Sequence, residues 1–96
     1  MFYVYIIYSK KLDAFYIGQT LDIDQRLEEH NTGFFKNTFT SKTDDWQLFY
    51  TIECQSRNQA ILIERHIKKM RSRKFYFSLK SFPEIAIKLR QVYKPE

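Results

Sequence analysis

The sequence predicts an α+β fold: a three-stranded antiparallel sheet flanked by helices, in the order ββαβα followed by a C-terminal helix. Three observations support this prediction. Two runs of β-branched and aromatic residues are separated by a short polar connector, a third such run lies near mid-chain, and two amphipathic stretches begin at helix-capping residues. With 96 residues, 44% of them hydrophobic, the chain has the size and composition of one domain, residues 1–96.

The predicted strands are Phe2–Tyr8, Phe15–Thr20 and Trp46–Cys54. The polar connector between the first two is typical of an antiparallel hairpin. Because side chains alternate along a strand, the two faces of the first strand carry Tyr3, Tyr5 and Ile7 on one side and Phe2, Val4, Ile6 and Tyr8 on the other. The same alternation places on one face of the third strand Trp46, Leu48, Tyr50 and Ile52.

The first predicted helix runs from Asp22 to about His30. Asp22 is a favourable N-cap, and the residues that follow His30 are a stop signal. Side chains four residues apart lie next to each other on a helix, so Arg26 and His30 share one edge of the buried stripe.

The second predicted helix begins at a capping box, Ser56–Gln59, and extends to about Arg73. Its predicted buried stripe consists of Ala60, Ile63, Ile67 and Met70. Glu64 lies at the rim of that stripe, where its spacing also allows a surface ion pair with Lys68.

Residues 74–96 are predicted to form a helical C-terminal extension. Ser72 can cap a short helix over Lys74–Lys80. A second capping box, Ser81–Glu84, can open the last helix, with Ile85, Leu89 and Val92 on one face.

The segment Thr32–Asp45 has no clear periodicity and is rich in turn-forming residues. Two interpretations stay open for it. It is either a flap that contacts a bound strand through Lys36 and Lys42, or a surface loop packed on the sheet by Phe34, Phe35 and Phe39.

The charge of the chain is unevenly distributed. Residues 1–64 carry a net charge of −3, whereas residues 65–96 carry +8. This asymmetry favours a polyanionic partner, with nucleic acid as the first candidate, and a solvated basic face is the alternative that charge alone leaves open. The candidate contacts are Lys68, Lys69, Arg71, Arg73 and Lys74.

Composition also disfavours several classes of protein. No apolar run approaches the roughly 20 residues of a membrane span. The single cysteine, Cys54, excludes an internal disulfide and a cysteine-based zinc site, and His30 and His66 lack the spacing of a zinc pair. No targeting segment is recognisable, so we expect a cytoplasmic protein.

Two triplets in the predicted hairpin, Val4-Tyr5-Ile6 and Tyr16-Ile17-Gly18, have their tyrosines eleven residues apart. The run from Arg26 to Gly33 and then Glu64 follow them along the chain. Together these elements resemble the signature of the GIY-YIG endonuclease superfamily, as a small stand-alone member, over about three quarters of the chain. Val4 departs from the pattern, because it stands where the first glycine of the family name would be.

The resemblance implies a metal-dependent endonuclease that hydrolyses DNA phosphodiester bonds, in repair or on branched DNA. It implies that Tyr5 is the general base, oriented with Tyr16, and that Arg26 stabilises charge on the phosphate. His30 would share the base role or hold the phosphate, and Glu64 would bind Mg²⁺ or Mn²⁺. These residue types suit those tasks, because guanidinium groups match phosphate oxygens and Mg²⁺ prefers oxygen ligands.

Two other functions stay open at this stage. One is a catalytically silent nucleic-acid-binding module of the same fold, and the other is a protein-interaction domain that uses the aromatic loop. The alternative for Arg26 is an ion pair with Asp22 or Glu29. The expected partner is DNA, with no membrane and no small-molecule cofactor, and the chain is expected to act as a monomer or a weak homo-oligomer.

Overall fold

The computed structural model describes residues 1–96. Its strands are β1 (Phe2–Ser9), β2 (Ala14–Thr20) and β3 (Gln47–Cys54). Its α-helices are α1 (Ile23–Asn31), α2 (Arg57–Met70), α3 (Arg73–Ser81) and α4 (Pro83–Val92), and a short 3₁₀ helix covers Phe39–Lys42. The predicted α+β fold with a three-stranded antiparallel sheet is confirmed. None of the helices is long and apolar enough to cross a membrane.

Strand β1 lies at the centre of the sheet, whose strand order is β2-β1-β3. One face of the sheet packs against α2, α3 and α4 and forms the main core, which includes Val4 and Ile6 of β1. The opposite face carries a smaller buried cluster of Tyr5, Ile7 and Trp46. The predicted division of β1 side chains between two faces is therefore confirmed.

The alternation predicted for the third strand is wrong because β3 contains a bulge. Ile6 pairs with Tyr50, but the next residue, Ile7, pairs with Leu48, so that Phe49 is an extra residue in the ladder. On the N-terminal side of the bulge, each side chain therefore lies on the face of the sheet opposite to the one predicted. Trp46 consequently packs with Ile7, whereas Ile52 lies in the main core on the other side of the sheet.

The second helix ends earlier than predicted. Helix α2 stops at Met70, and Arg71 adopts a left-handed conformation with φ 45° and ψ 44°. Left-handed residues commonly end helices, although glycine is the usual choice. Met70 is 44% exposed and is not part of the buried stripe, which consists of Gln59, Ala60, Ile63 and Ile67.

The two predicted caps in the C-terminal extension have different outcomes. Ser72 does cap α3, because its side chain accepts a hydrogen bond of 3.2 Å from the backbone N–H of Phe75. Ser81 is not a cap, since it is the last residue of α3 and α4 begins at Pro83 without a side-chain cap. Proline suits that position because it lacks the N–H group that a helix start leaves unpaired. Val92 is exposed rather than buried.

The loop between α1 and β3 is fixed at both ends. The Asn31 side chain donates to the carbonyl of Trp46 and accepts from its N–H. Near the end of the loop, Asp45 accepts hydrogen bonds from Ser9 and Thr43, which lower the pKa of its carboxyl group to about 2. Of the two interpretations of this segment, these contacts support a packed loop, but the packing predicted for its phenylalanines is wrong for Phe34 and Phe39, which are exposed.

Ser72→Ala should lower the free energy of unfolding by about 1 kcal/mol, because the substitution removes a helix N-cap. Ser81→Ala is the matched control, with an expected change within about 0.5 kcal/mol, since Ser81 caps nothing. Urea unfolding of both variants and the parent measures the difference. Equal losses for the two serines would contradict this assignment of the caps.

Candidate active site

The Tyr5 side chain lies across Gly18, its partner on β2. A Cβ atom added at Gly18 would lie 2.5 Å from the Tyr5 hydroxyl oxygen and 2.6 Å from Cζ, which are distances that no side chain tolerates. Gly18 is therefore required by the tyrosine ring. Val4 faces the main core on the other side of the sheet, so no comparable approach demands glycine there.

His30, in the last turn of α1, contacts both tyrosines of the two triplets. Its Nε2 atom lies 2.9 Å from the Tyr5 hydroxyl oxygen. The ring of Tyr16 meets the imidazole edge-on, at a centroid distance of 5.2 Å. His30 is buried, at 4% exposure, so this contact is shielded from bulk water.

Arg26 lies one turn before His30, as the helical spacing predicted. The Phe35 ring contacts both of them, since its centroid is 5.3 Å from the guanidinium carbon of Arg26 and 4.9 Å from the imidazole centroid. Arg26 also forms the predicted alternative contact, an ion pair of 3.3 Å between its Nε and Glu29. That pair is partly exposed and contributes at most about 1 kcal/mol, so it does not prevent Arg26 from reaching a phosphate.

Burial keeps both members of the hydrogen-bonded pair uncharged. Burial is the main cause that raises the pKa of the Tyr5 phenol, and the negative charges that Tyr16 and Glu64 can carry raise it further, against the opposing effect of Arg26. Burial also lowers the pKa of His30 to about 4, with a further lowering by Arg26 and an opposing effect of Glu29. At neutral pH the pair therefore consists of a phenol and a neutral imidazole.

Glu64 of α2 lies close enough for its charge to act on Tyr5. Its side chain is 18% exposed and forms the predicted ion pair with Lys68, at 2.6 Å. No group of three or more His, Cys, Asp or Glu side chains is assembled to hold a metal. A lone carboxylate suits Mg²⁺, which keeps several waters and takes substrate phosphates as ligands, but not a metal that needs a complete protein cage.

The basic residues predicted to contact nucleic acid do not form one group. Three of them, Lys68, Lys69 and Arg71, line a shallow surface depression together with Arg65. Arg73 instead donates hydrogen bonds to the carboxylate and the backbone carbonyl of Asp13, and its guanidinium carbon lies 5.3 Å from the Phe15 ring centroid. Lys74 is exposed.

The structure thus brings together four of the predicted site residues, Tyr5, Tyr16, Arg26 and His30. Glu64 is close enough for its charge to raise the pKa of Tyr5. Sequence reasoning missed two side chains that touch this group. Phe35 was identified only as a packing residue. Thr40, whose hydroxyl oxygen lies 2.8 Å from His30 Nδ1, was not identified, because no spacing or residue type marks it in the sequence.

A comparison with known families agrees with this geometry. The model of the GIY-YIG catalytic domain matches residues 1–76, well over half of the chain. The chain therefore belongs to the GIY-YIG family of nucleases. No curated protein and no solved structure matches the chain.

Gly18→Ala should destabilise the fold by about 1–3 kcal/mol, because the new methyl group overpacks against the Tyr5 ring. The same substitution in a Tyr5→Ala background should cost much less, since the ring that it strikes has gone. A double-mutant cycle based on urea unfolding measures this coupling. Additive effects would show that Tyr5 does not lie over Gly18.

Proposed function

We propose that the protein is a Mg²⁺- or Mn²⁺-dependent endonuclease that hydrolyses phosphodiester bonds of DNA. The observation that carries the proposal is the shielded hydrogen bond between Tyr5 and His30, next to Arg26 and within the field of Glu64. Hydrolysis needs a proton acceptor for water, positive charge near the phosphate and a site for a divalent cation. Each need has a candidate residue in this group.

Tyr5 and His30 act in the proposal as one proton-accepting unit. Tyr5 alone is a weak base, because its phenol is neutral and its raised pKa opposes ionisation. A neutral phenol that donates to an imidazole can nevertheless accept a proton from water on its oxygen while it passes its own proton to His30. The hydrogen bond of 2.9 Å between the two groups supports this role.

Arg26 and Glu64 have the electrostatic roles. The guanidinium group of Arg26 offers planar donors that match phosphate oxygens, and its stacking on Phe35 limits its freedom. Glu64 would hold the divalent cation, together with water and the substrate phosphate. When bound, such a cation supplies positive charge to the phosphate and lowers the pKa of water in its coordination shell.

The basic depression suggests where DNA lies. Lys68 is one turn of α2 beyond Glu64, so Lys68, Lys69 and Arg71 extend along the surface from the proposed cation ligand. We include exposed Lys74 in this phosphate-binding set and leave out Arg73, whose donors are occupied by Asp13. We propose branched or damaged DNA as the substrate and DNA repair as the process. Residues 1–96 would act as one nuclease domain in the cytoplasm.

Glu64→Gln should abolish cleavage while the protein remains folded, because it removes the anionic ligand of the cation with little change in shape. Arg26→Ala should reduce kcat by about 10²-fold or more, which is typical for loss of a preorganised charge stabiliser. Glu28→Gln, on the exposed side of α1, is the matched control and should cleave as the parent does.

These variants are assayed with Mg²⁺ or Mn²⁺ on single-stranded, duplex, flapped and four-way DNA. Full activity of Glu64→Gln would refute its role as the cation ligand. A parent that binds DNA but cuts none of these substrates would favour the silent binding module instead.

DNA affinity should fall steeply with salt, by roughly one unit of log–log slope for each phosphate contact. The double variant Lys69→Gln/Arg71→Gln should reduce the slope by up to about two units and weaken binding to unrelated sequences equally. Lys88→Gln/Lys94→Gln, with the same charge change outside the depression, is the control. DNA affinity is measured at several salt concentrations in EDTA. If both double variants show the same slope of log affinity against log salt as the parent, the depression is not the DNA contact.

A further inference from the structure

Two threonines of the loop between α1 and β3 continue the hydrogen-bond chain of the active site. His30 Nδ1 lies 2.8 Å from the hydroxyl oxygen of Thr40. The Thr40 oxygen lies 3.3 Å from the hydroxyl oxygen of Thr38, and Thr38 donates a hydrogen bond of 2.6 Å to the carbonyl of Phe35. The chain therefore runs from Tyr5 through the imidazole to a backbone carbonyl.

The last member of this chain fixes the direction of the Thr38 proton. The Phe35 carbonyl can only accept, so the single hydroxyl proton of Thr38 is used there. Thr38 is then left as the acceptor in its contact with Thr40, so that Thr40 can donate its proton there and accept the Nδ1–H of His30. A neutral imidazole carries one proton, so in this arrangement Nε2 is bare and accepts from the Tyr5 hydroxyl.

We propose that Thr40 is a positioning residue that holds His30 in the tautomer protonated at Nδ1, so that Nε2 faces the Tyr5 hydroxyl as a proton acceptor. The proposal deepens the proposed function, because its consequence for cleavage rests on Tyr5 and His30 being the base. The tautomer itself is a property of the folded chain without DNA or metal.

Thr40 is well held for this role. It is 2% exposed, and its backbone carbonyl accepts a hydrogen bond of 2.9 Å from the indole N–H of Trp46. Trp46 is in turn fixed through its backbone by Asn31, the residue after His30. Trp46 therefore links Thr40, which contacts the imidazole, to α1, which carries it.

The tautomer decides whether a proton can leave Tyr5. As Tyr5 accepts a proton from water, its phenolic proton passes to His30 Nε2; water becomes hydroxide, Tyr5 stays neutral and His30 becomes an imidazolium that still donates from Nδ1 to Thr40. In the other tautomer Nε2 already carries a proton, and it would donate to Tyr5 instead of accepting. The other groups around the imidazole are Tyr16, Phe35 and the Arg26–Glu29 pair, and they give it no alternative acceptor for Nδ1–H.

The test uses ¹⁵N NMR of the histidine rings in the whole chain, without DNA or metal, at neutral pH. In the parent, and in Thr40→Ser, which keeps the hydroxyl, His30 should show a protonated Nδ1 and a bare Nε2. In Thr40→Val, a close match in shape without the hydroxyl, the proton should move to Nε2. Thr38→Val should shift the population in the same direction, because Thr40 is then free to donate to Nδ1, and this exposed position does not endanger folding.

Cleavage provides the second readout. Thr40→Val should lower kcat by on the order of 10²-fold with little change in KM, while Thr40→Ser should restore most of the rate. A parent protonated at Nε2, or a tautomer unchanged by Thr40→Val, would overturn the proposal. If Thr40→Val does not fold, an unchanged tautomer in Thr38→Val overturns it. If the NMR spectra show the predicted tautomers but the parent cuts no DNA, the positioning role of Thr40 stands and only the proposed function is refuted.

Discussion

The two-residue period of β1 is the constraint on which both the core and the site depend. Val4 and Ile6 face α2 and the C-terminal helices, while Tyr5 and Ile7 face the opposite side of the sheet. Because β1 is hydrogen-bonded on both edges, a slip of one residue in its register would exchange these two sets and expose the core. The same residues that drive folding therefore place Tyr5 opposite Gly18, the one partner whose missing side chain leaves room for its ring.

Burial of Tyr5 and His30 has a chemical cost and a chemical use. Each group is driven to its neutral form, so neither is a strong base alone. Under the proposed function, however, the hydrogen bond lets Tyr5 pass its proton to His30 as it takes one from water, so that Tyr5 itself stays neutral. Proton transfer then requires that bond to point from Tyr5 to His30, and we infer that the loop sets this direction through Thr40 rather than the motif residues themselves.

Local signals explain what could be predicted from the sequence. The hairpin, the faces of β1 and the caps at Asp22 and Ser72 depend on residues close together in the chain, and the structure bears them out. Three features could not be predicted, because they arise from contacts between distant segments. Phe49 bulges where β3 must fit against β1, Arg71 turns the chain so that α3 can reach the core, and Thr40 meets His30 only once the loop is folded over α1. The candidate site was predictable as a set of residues through a family resemblance, but not as a proton path.

The ion pair between Glu64 and Lys68 was the alternative to a cation-binding role, and the structure shows that pair. The two roles are nonetheless compatible. Lys68 is about half exposed, and partly exposed pairs of this kind contribute at most about 1 kcal/mol, so the pair is easily exchanged for other contacts. In the free protein Lys68 pairs with the negative charge of the Glu64 carboxylate. Under the proposed function, an arriving phosphate offers Lys68 a second anionic partner and brings oxygen ligands for a divalent cation to Glu64. The substrate would then complete a cation site that the protein alone leaves unfinished.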